Sequence, residues 1–132
     1  MMEEKPSDVA LKARILLVED NEINRRLLSD YLIYCGFDVL SLSEGKGFFS
    51  LIEKFQPHLI ILDLKLKDID GYTLLEQMQQ VREEFQVPVI VVSALAFQAD
   101  QKRAIDLGVR HYFVKPINLG LLRQTIVSEL KT

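Results

Sequence analysis

The chain has 132 residues, 48% of them hydrophobic and 27% charged, and its 16 basic and 19 acidic side chains give a formal net charge of −3. A domain of this size can bury a real core without metals or disulfide bonds, and the single cysteine, Cys35, reads as a buried free thiol of a reduced cytosol. Apolar runs of only about five residues, against the ~20 of a membrane-spanning helix, argue against a membrane protein, and the absence of any Lys/Arg block argues against nucleic acid, which leaves a cytoplasmic domain.

Residues 1–13 read as a flexible tail and 14–131 as one unit. The run Arg14-Ile-Leu-Leu-Val18 predicts a strand. Over 22–35, Ile23, Leu27, Leu28, Tyr31 and Leu32 recur at helical spacing, and Gly36 follows as a left-handed stop. Residues 37–41 alternate and suit an edge strand. Phe48, Phe49, Ile52 and Phe55 mark a second helix, ended by Pro57. Leu59-Ile-Ile-Leu62 is a further strand, and Leu74, Leu75, Met78 and Val81 mark a helix between Asp70-Gly71 and Pro88. Then come a strand over 89–92, a polar helix over about 98–107 stopped by Gly108, and an edge strand, His111-Tyr-Phe-Val114. Leu119, Leu122, Ile126 and Leu130 make the last helix. Strands nearly continuous in Val, Ile and Leu, alternating with helices, predict an α/β sandwich with a parallel sheet and right-handed crossovers.

In such a sheet the chemistry gathers beyond the C-terminal ends of the strands. Glu19 and Asp20 follow the first strand, Asp63 the strand at 59–62, Ser93 the strand at 89–92, and Lys115-Pro116 the last. Singly each has a plainer role: carboxylates at a helix N-terminus, a capping serine, a surface lysine. Falling together on successive strand ends, they outweigh those roles. Three carboxylates in one crevice repel one another unless a cation joins them, and an all-oxygen, partly hydrated site suits Mg²⁺. A metal, a lysine and a hydroxyl surround a phosphoryl group well, and a carboxylate can receive it. The set reads as an aspartyl-phosphate site.

These motifs resemble those of the response regulator receiver domain (CheY-like), the phosphoacceptor module of two-component signalling and phosphorelays, over about residues 14–131. The resemblance implies a flavodoxin-like, doubly wound (βα)5 fold with strand order 2-1-3-4-5; this order comes with the family, a stock example of it, and the residues alone leave it open. It implies that Asp63 is the phosphoacceptor, that Glu19, Asp20, Asp63 and the backbone carbonyl of Lys65 hold Mg²⁺, and that Ser93 and Lys115 contact the phosphoryl group. Tyr112 matches an aromatic switch that turns inward when the Ser93 hydroxyl moves, with the polar fourth helix as the mobile element. The Lys115-Pro116 bond is expected to be cis. Lys67 stands where the family commonly has proline, which predicts a looser loop.

The implied partners are a histidine kinase or histidine phosphotransfer protein and a downstream protein target, with the fourth and fifth helices as the face on which family members often form homodimers. No nucleic acid, membrane or separate substrate is expected. The alternatives are a receiver segment of a hybrid histidine kinase, a receiver-like adaptor that is never phosphorylated and whose Lys65 and Lys67 ammonium groups replace the metal, and an aspartyl-phosphate hydrolase. The last lacks an inserted segment to enclose a substrate.

Overall fold

The computed structural model describes residues 12–131, so most of the predicted tail lies outside the described residues. Strands β1 (Arg14–Val18), β2 (Asp38–Leu42), β3 (Leu59–Leu62), β4 (Val89–Ser93) and β5 (His111–Val114) alternate with helices α1 (Glu22–Tyr34), α2 (Phe48–Phe55), α3 (Gly71–Gln80), α4 (Gln98–Asp106) and α5 (Leu119–Leu130). All four strand pairings are parallel and the order is β2-β1-β3-β4-β5, the flavodoxin-like arrangement expected from the resemblance.

Side chains alternate across a strand, and here both faces are apolar. Ile15, Leu17, Leu59, Ile61, Ile90 and Val92 cluster with Leu28 and Leu32 of α1 and Leu122 and Ile126 of α5. Leu16, Val18, Ile60, Leu62, Val89 and Val91 meet Phe48 and Ile52 of α2, Leu74, Leu75 and Met78 of α3, and Ala104 of α4. Each aliphatic side chain so buried is worth about 1.5–3 kcal/mol, and truncation of one such as Ile61 to alanine costs roughly 2–5 kcal/mol. The order of strands reverses between β1 and β3, which opens the crevice at their C-terminal ends.

Three expectations need correction. Ile23 and Leu27 do not face the core but stand 77% and 56% exposed, because α1 buries the stripe of Leu28 and Leu32, about 100° around the helix from Leu27. Cys35 is half-buried, not buried, since it caps α1 beyond the last inward-facing turn. Boundaries also shift by a residue, as β2 covers Asp38–Leu42, α3 ends at Gln80 and α4 at Asp106. Gly36 does take the left-handed conformation predicted for it, with φ of 101°. No helix among the described residues is long and apolar enough to cross a membrane.

Candidate functional site

Glu19, Asp63 and Lys115 are each the first residue past a strand, with the backbone still hydrogen-bonded to the neighbouring strand. The Glu19 N–H donates to the Leu42 carbonyl at 3.0 Å, the Asp63 N–H to the Val18 carbonyl at 3.0 Å and the Lys115 N–H to the Ser93 carbonyl at 2.9 Å. The sheet itself therefore aims these side chains. The connections beyond are short and capped. Asn21 Oδ1 accepts the Asn24 N–H at the start of α1, Asp70 Oδ1 the Tyr72 N–H at the start of α3, and Asn118 Oδ1 the Leu121 N–H at the start of α5. The Lys115–Pro116 peptide is cis. Gly71 is required by closeness, because a Cβ there would lie 2.5 Å from Leu64 Cα and 2.9 Å from the Leu64 oxygen.

Glu19, Asp20 and Asp63 come together, each with an oxygen within 4.8 Å of the others. Glu19 is fully buried and Asp63 nearly so, while Asp20 is half-buried. The Lys115 ammonium bridges Glu19 Oε1 at 2.8 Å and Asp63 Oδ2 at 2.9 Å. The other oxygens of these two acids are also engaged: Glu19 Oε2 accepts the Asn21 N–H at 3.1 Å and Asp63 Oδ1 the Lys65 N–H at 3.0 Å. Burial pushes the Glu19 carboxyl above its ordinary pKa, against the opposing Lys115 hydrogen bond and with help from the Asp63 charge. Burial alone would lower the Lys115 pKa, yet its hydrogen bonds to Glu19 and Asp63 raise it on balance, so the ammonium holds its proton.

With all three acids ionised, three negative charges face one ammonium, and two remain uncompensated. An all-oxygen donor set with that surplus fits a hard divalent cation such as Mg²⁺. Among the described residues the ion pairs of this cluster are those with Lys115, whereas Lys65 and Lys67 are exposed and their ammonium groups make none. The ammonium in the pocket is thus not either of those assigned to metal mimicry.

Ser93 and Tyr112 share Leu95 as a partner. Ser93 is fully buried at the end of β4, and its Oγ accepts the Leu95 N–H at 3.2 Å. The Tyr112 hydroxyl donates to the Leu95 carbonyl at 2.8 Å, so the ring is already turned toward the β4–α4 connection. Burial raises the Tyr112 pKa, partly offset by the Ser93 hydrogen bond. The start of α4 is pinned as well. Tyr72 of α3, buried, donates its hydroxyl to the Asp100 carbonyl at 2.9 Å, and the Arg103 guanidinium lies 4.0 Å above its ring. That tether, and Arg25, whose Nη1 donates to the Glu19 carbonyl at 3.0 Å, escaped the reading of the sequence. Neither is marked by spacing, because each acts on a backbone oxygen distant in the chain or hidden by a turn.

The family described as response regulator receiver domain matches residues 15–127. The "Probable transcriptional regulator ycf27" of Porphyridium aerugineum is 34% identical over 120 residues, 91% of this chain and 49% of its own length. The "Polar-differentiation response regulator DivK" of Brucella ovis is 30% identical over 116 residues, 88% of this chain and 94% of its own. Among solved structures, a response regulator receiver domain protein (CheY-like) from Methanospirillum hungatei JF-1 superposes with a TM-score of 0.83 at 26% identity, covering 91% of this chain and 94% of that one. The chain spans about half the length of the ycf27 relatives it matches.

Proposed function

The chain belongs to the response regulator receiver domain family, and from that premise we propose that Asp63 accepts a phosphoryl group from a histidine kinase or histidine phosphotransfer protein in a two-component system or phosphorelay in the cytoplasm. The observation that carries this reading is the cluster of Glu19, Asp20 and Asp63 with Lys115 bridging two of its members.

In the transfer an Asp63 carboxylate oxygen attacks phosphorus, the P–O bond forms as the P–N bond to the donor imidazole breaks, and the imidazole nitrogen keeps the electron pair. Asp63 is held from both sides, by the Lys65 N–H and by Lys115, so the nucleophile needs no reorientation. Glu19, Asp20, Asp63 and the Lys65 carbonyl are the groups that would hold Mg²⁺, which when bound neutralises charge on the phosphoryl oxygens. Lys115, already hydrogen-bonded to Asp63, would do the same. At an effective dielectric near 20 an ammonium ~4 Å from one negative charge gains about 4 kcal/mol, and a phosphoryl group brings close to two charges. Ser93, with its hydroxyl hydrogen free of the Leu95 contact, donates to a phosphoryl oxygen, and the pull on Ser93 reaches Tyr112 through Leu95.

The donor lands at the mouth of the crevice. Ile23 and Leu27 of α1 and Leu121 of α5 are exposed on two helices that pack on the same sheet face and follow the strand ends carrying Asp20 and Lys115. The output lies across the sheet, where Phe97 and Ile105 are exposed at α4 and offer a face to a downstream target or a second copy.

Acetyl phosphate and Mg²⁺ test the reading. Intact mass should rise by one phosphoryl group in the wild type and not in Asp63→Asn; a wild type that never gains it, or a variant that does, overturns the assignment.

A further inference from the structure

The loop from Leu64 to Asp70 carries Lys65, whose N–H holds Asp63, and it closes on itself through the backbone bridge between Lys65 and Asp70. With Lys67 in place of a proline, its backbone lacks one source of stiffness. The structure supplies another. The carboxylate of Asp68 reaches across to the turn before α2, where Oδ1 accepts the Gly45 N–H at 2.9 Å and Oδ2 the Lys46 N–H at 2.9 Å. This is the same turn in which Gly47, at φ of 85°, precedes α2 without any side-chain cap. The loops also interlock sterically: Gly45 is buried, a Cβ there would run into the Ile69 methyl, and Ile69 packs on the core beneath. The Gly45 hydrogen bond foremost, with that from Lys46, holds the Asp68 carboxyl below its ordinary pKa, so the acceptor is ionised and the bonds are charge-assisted at neutral pH.

We propose that Asp68 is a positioning residue for the phosphoacceptor site: by tying the 64–70 loop to the Gly45–Lys46 turn, it keeps the Lys65 backbone set for Asp63 and for a divalent cation. This rests on the receiver reading above. The Asp68 side chain is exposed and takes no part in the carboxylate cluster; it acts through the order of the loop. A loop left free would have to be ordered at each binding event, and that cost appears as weaker cation binding. Loss of a residue supporting a metal ligand typically weakens affinity about tenfold or more.

The test uses the whole 132-residue chain as wild type, Asp68→Ala, Asp68→Asn and Asp63→Asn. Amide hydrogen exchange is measured without metal, Mg²⁺ affinity by NMR titration, and labelling with acetyl phosphate at subsaturating Mg²⁺. Asp68→Ala should speed exchange at Gly45, Lys46 and Lys65, weaken Mg²⁺ binding by about tenfold, and slow labelling in step. Asp68→Asn, which keeps one acceptor oxygen, should fall between. Asp63→Asn should abolish labelling while exchange at Gly45 and Lys46 stays slow. If the wild type binds Mg²⁺ and labels, and Asp68→Ala does both equally well, the positioning role is wrong and the receiver reading stands. A wild type that does neither overturns the receiver reading, and this role with it.

Discussion

The Lys115 ammonium lies between Glu19 and Asp63, 2.8 Å from one and 2.9 Å from the other, and so stands where it competes with any cation for the same oxygens. Its removal should therefore have effects of opposite sign. Lys115→Ala leaves a buried glutamate without its partner, a loss of roughly 3 kcal/mol at pH 7. The loss should shrink toward pH 5, because protonation of Glu19, whose pKa is already raised by burial, relieves the stranded charge. Mg²⁺ should bind more tightly while phosphoryl acceptance slows. Urea unfolding at both pH values, NMR titration and acetyl phosphate labelling check this, and weaker Mg²⁺ binding would contradict the competition.

Tyr112 and Ser93 converge on the two backbone polar groups of Leu95. In Tyr112→Phe the Leu95 carbonyl loses its donor, which should lower stability by about 1 kcal/mol. The larger effect should be local. Amide exchange over residues 94–97 should rise, and the chemical shift changes expected at α4 on phosphorylation of Asp63 should shrink. Unchanged phosphorylation-induced shifts at α4 in the variant would separate Tyr112 from the switch.

The strand ends were legible because a buried parallel strand has a plain signature and the polar residue after it is conspicuous: Asp63 follows four fully buried residues. What sequence periodicity could not reveal was which apolar residues of α1 turn inward, since Ile23 and Leu27 share the spacing of Leu28 and Leu32 and only the position of the sheet decides between them. The tethers were hidden for another reason. Asp68 to Gly45, Tyr72 to Asp100 and Tyr112 to Leu95 all end on backbone atoms, which every residue possesses, so the partner leaves no mark in the sequence.

At the opposite end of the sheet, His58 Nδ1 accepts the Arg14 N–H at 2.9 Å, and the His58 N–H donates to the Arg14 carbonyl at 2.7 Å. A neutral ring is needed for the first bond. Burial, then the Arg14 charge, lowers the His58 pKa below 6.5. The unfolded chain thus binds the proton more readily, so this contribution to stability is present above the unfolded value and is lost as pH falls through it toward the folded one. The difference in urea midpoint between wild type and His58→Gln should narrow from pH 7.5 to pH 5.5, and a constant difference would exclude the His58 proton as its source.

Gly71 joins the loop that follows Asp63 to α3 at van der Waals limits. An added methyl would lie 2.5 Å from Leu64 Cα and 3.1 Å from the Asp63 oxygen, atoms of backbone that cannot swing aside. Gly71→Ala should cost roughly 1–3 kcal/mol by overpacking and, because the displaced backbone is that of Asp63 and Leu64, should also weaken Mg²⁺ binding. Gly120→Ala is the control, since its Cβ would meet nothing closer than Asn118 Oδ1 at 3.5 Å. Equal effects of the two substitutions on Mg²⁺ affinity would rule out the close approach as the cause.

The exposed Ile23 and Leu27 give a way to separate donor recognition from the chemistry at Asp63. They lie one turn apart on the outer side of α1, 77% and 56% exposed, in the helix that follows Asp20. Replacing both with serine should cost no more than about 1 kcal/mol per site. Labelling by acetyl phosphate, which needs no docking surface, should proceed at the wild-type rate. Transfer from a phosphorylated histidine phosphotransfer domain that labels the wild type should slow by about tenfold or more, because a few residues of an interface carry most of its affinity. A loss of acetyl phosphate labelling would mean that the substitutions disturb Asp20 itself, and an unchanged transfer rate would place the donor on another face of the domain.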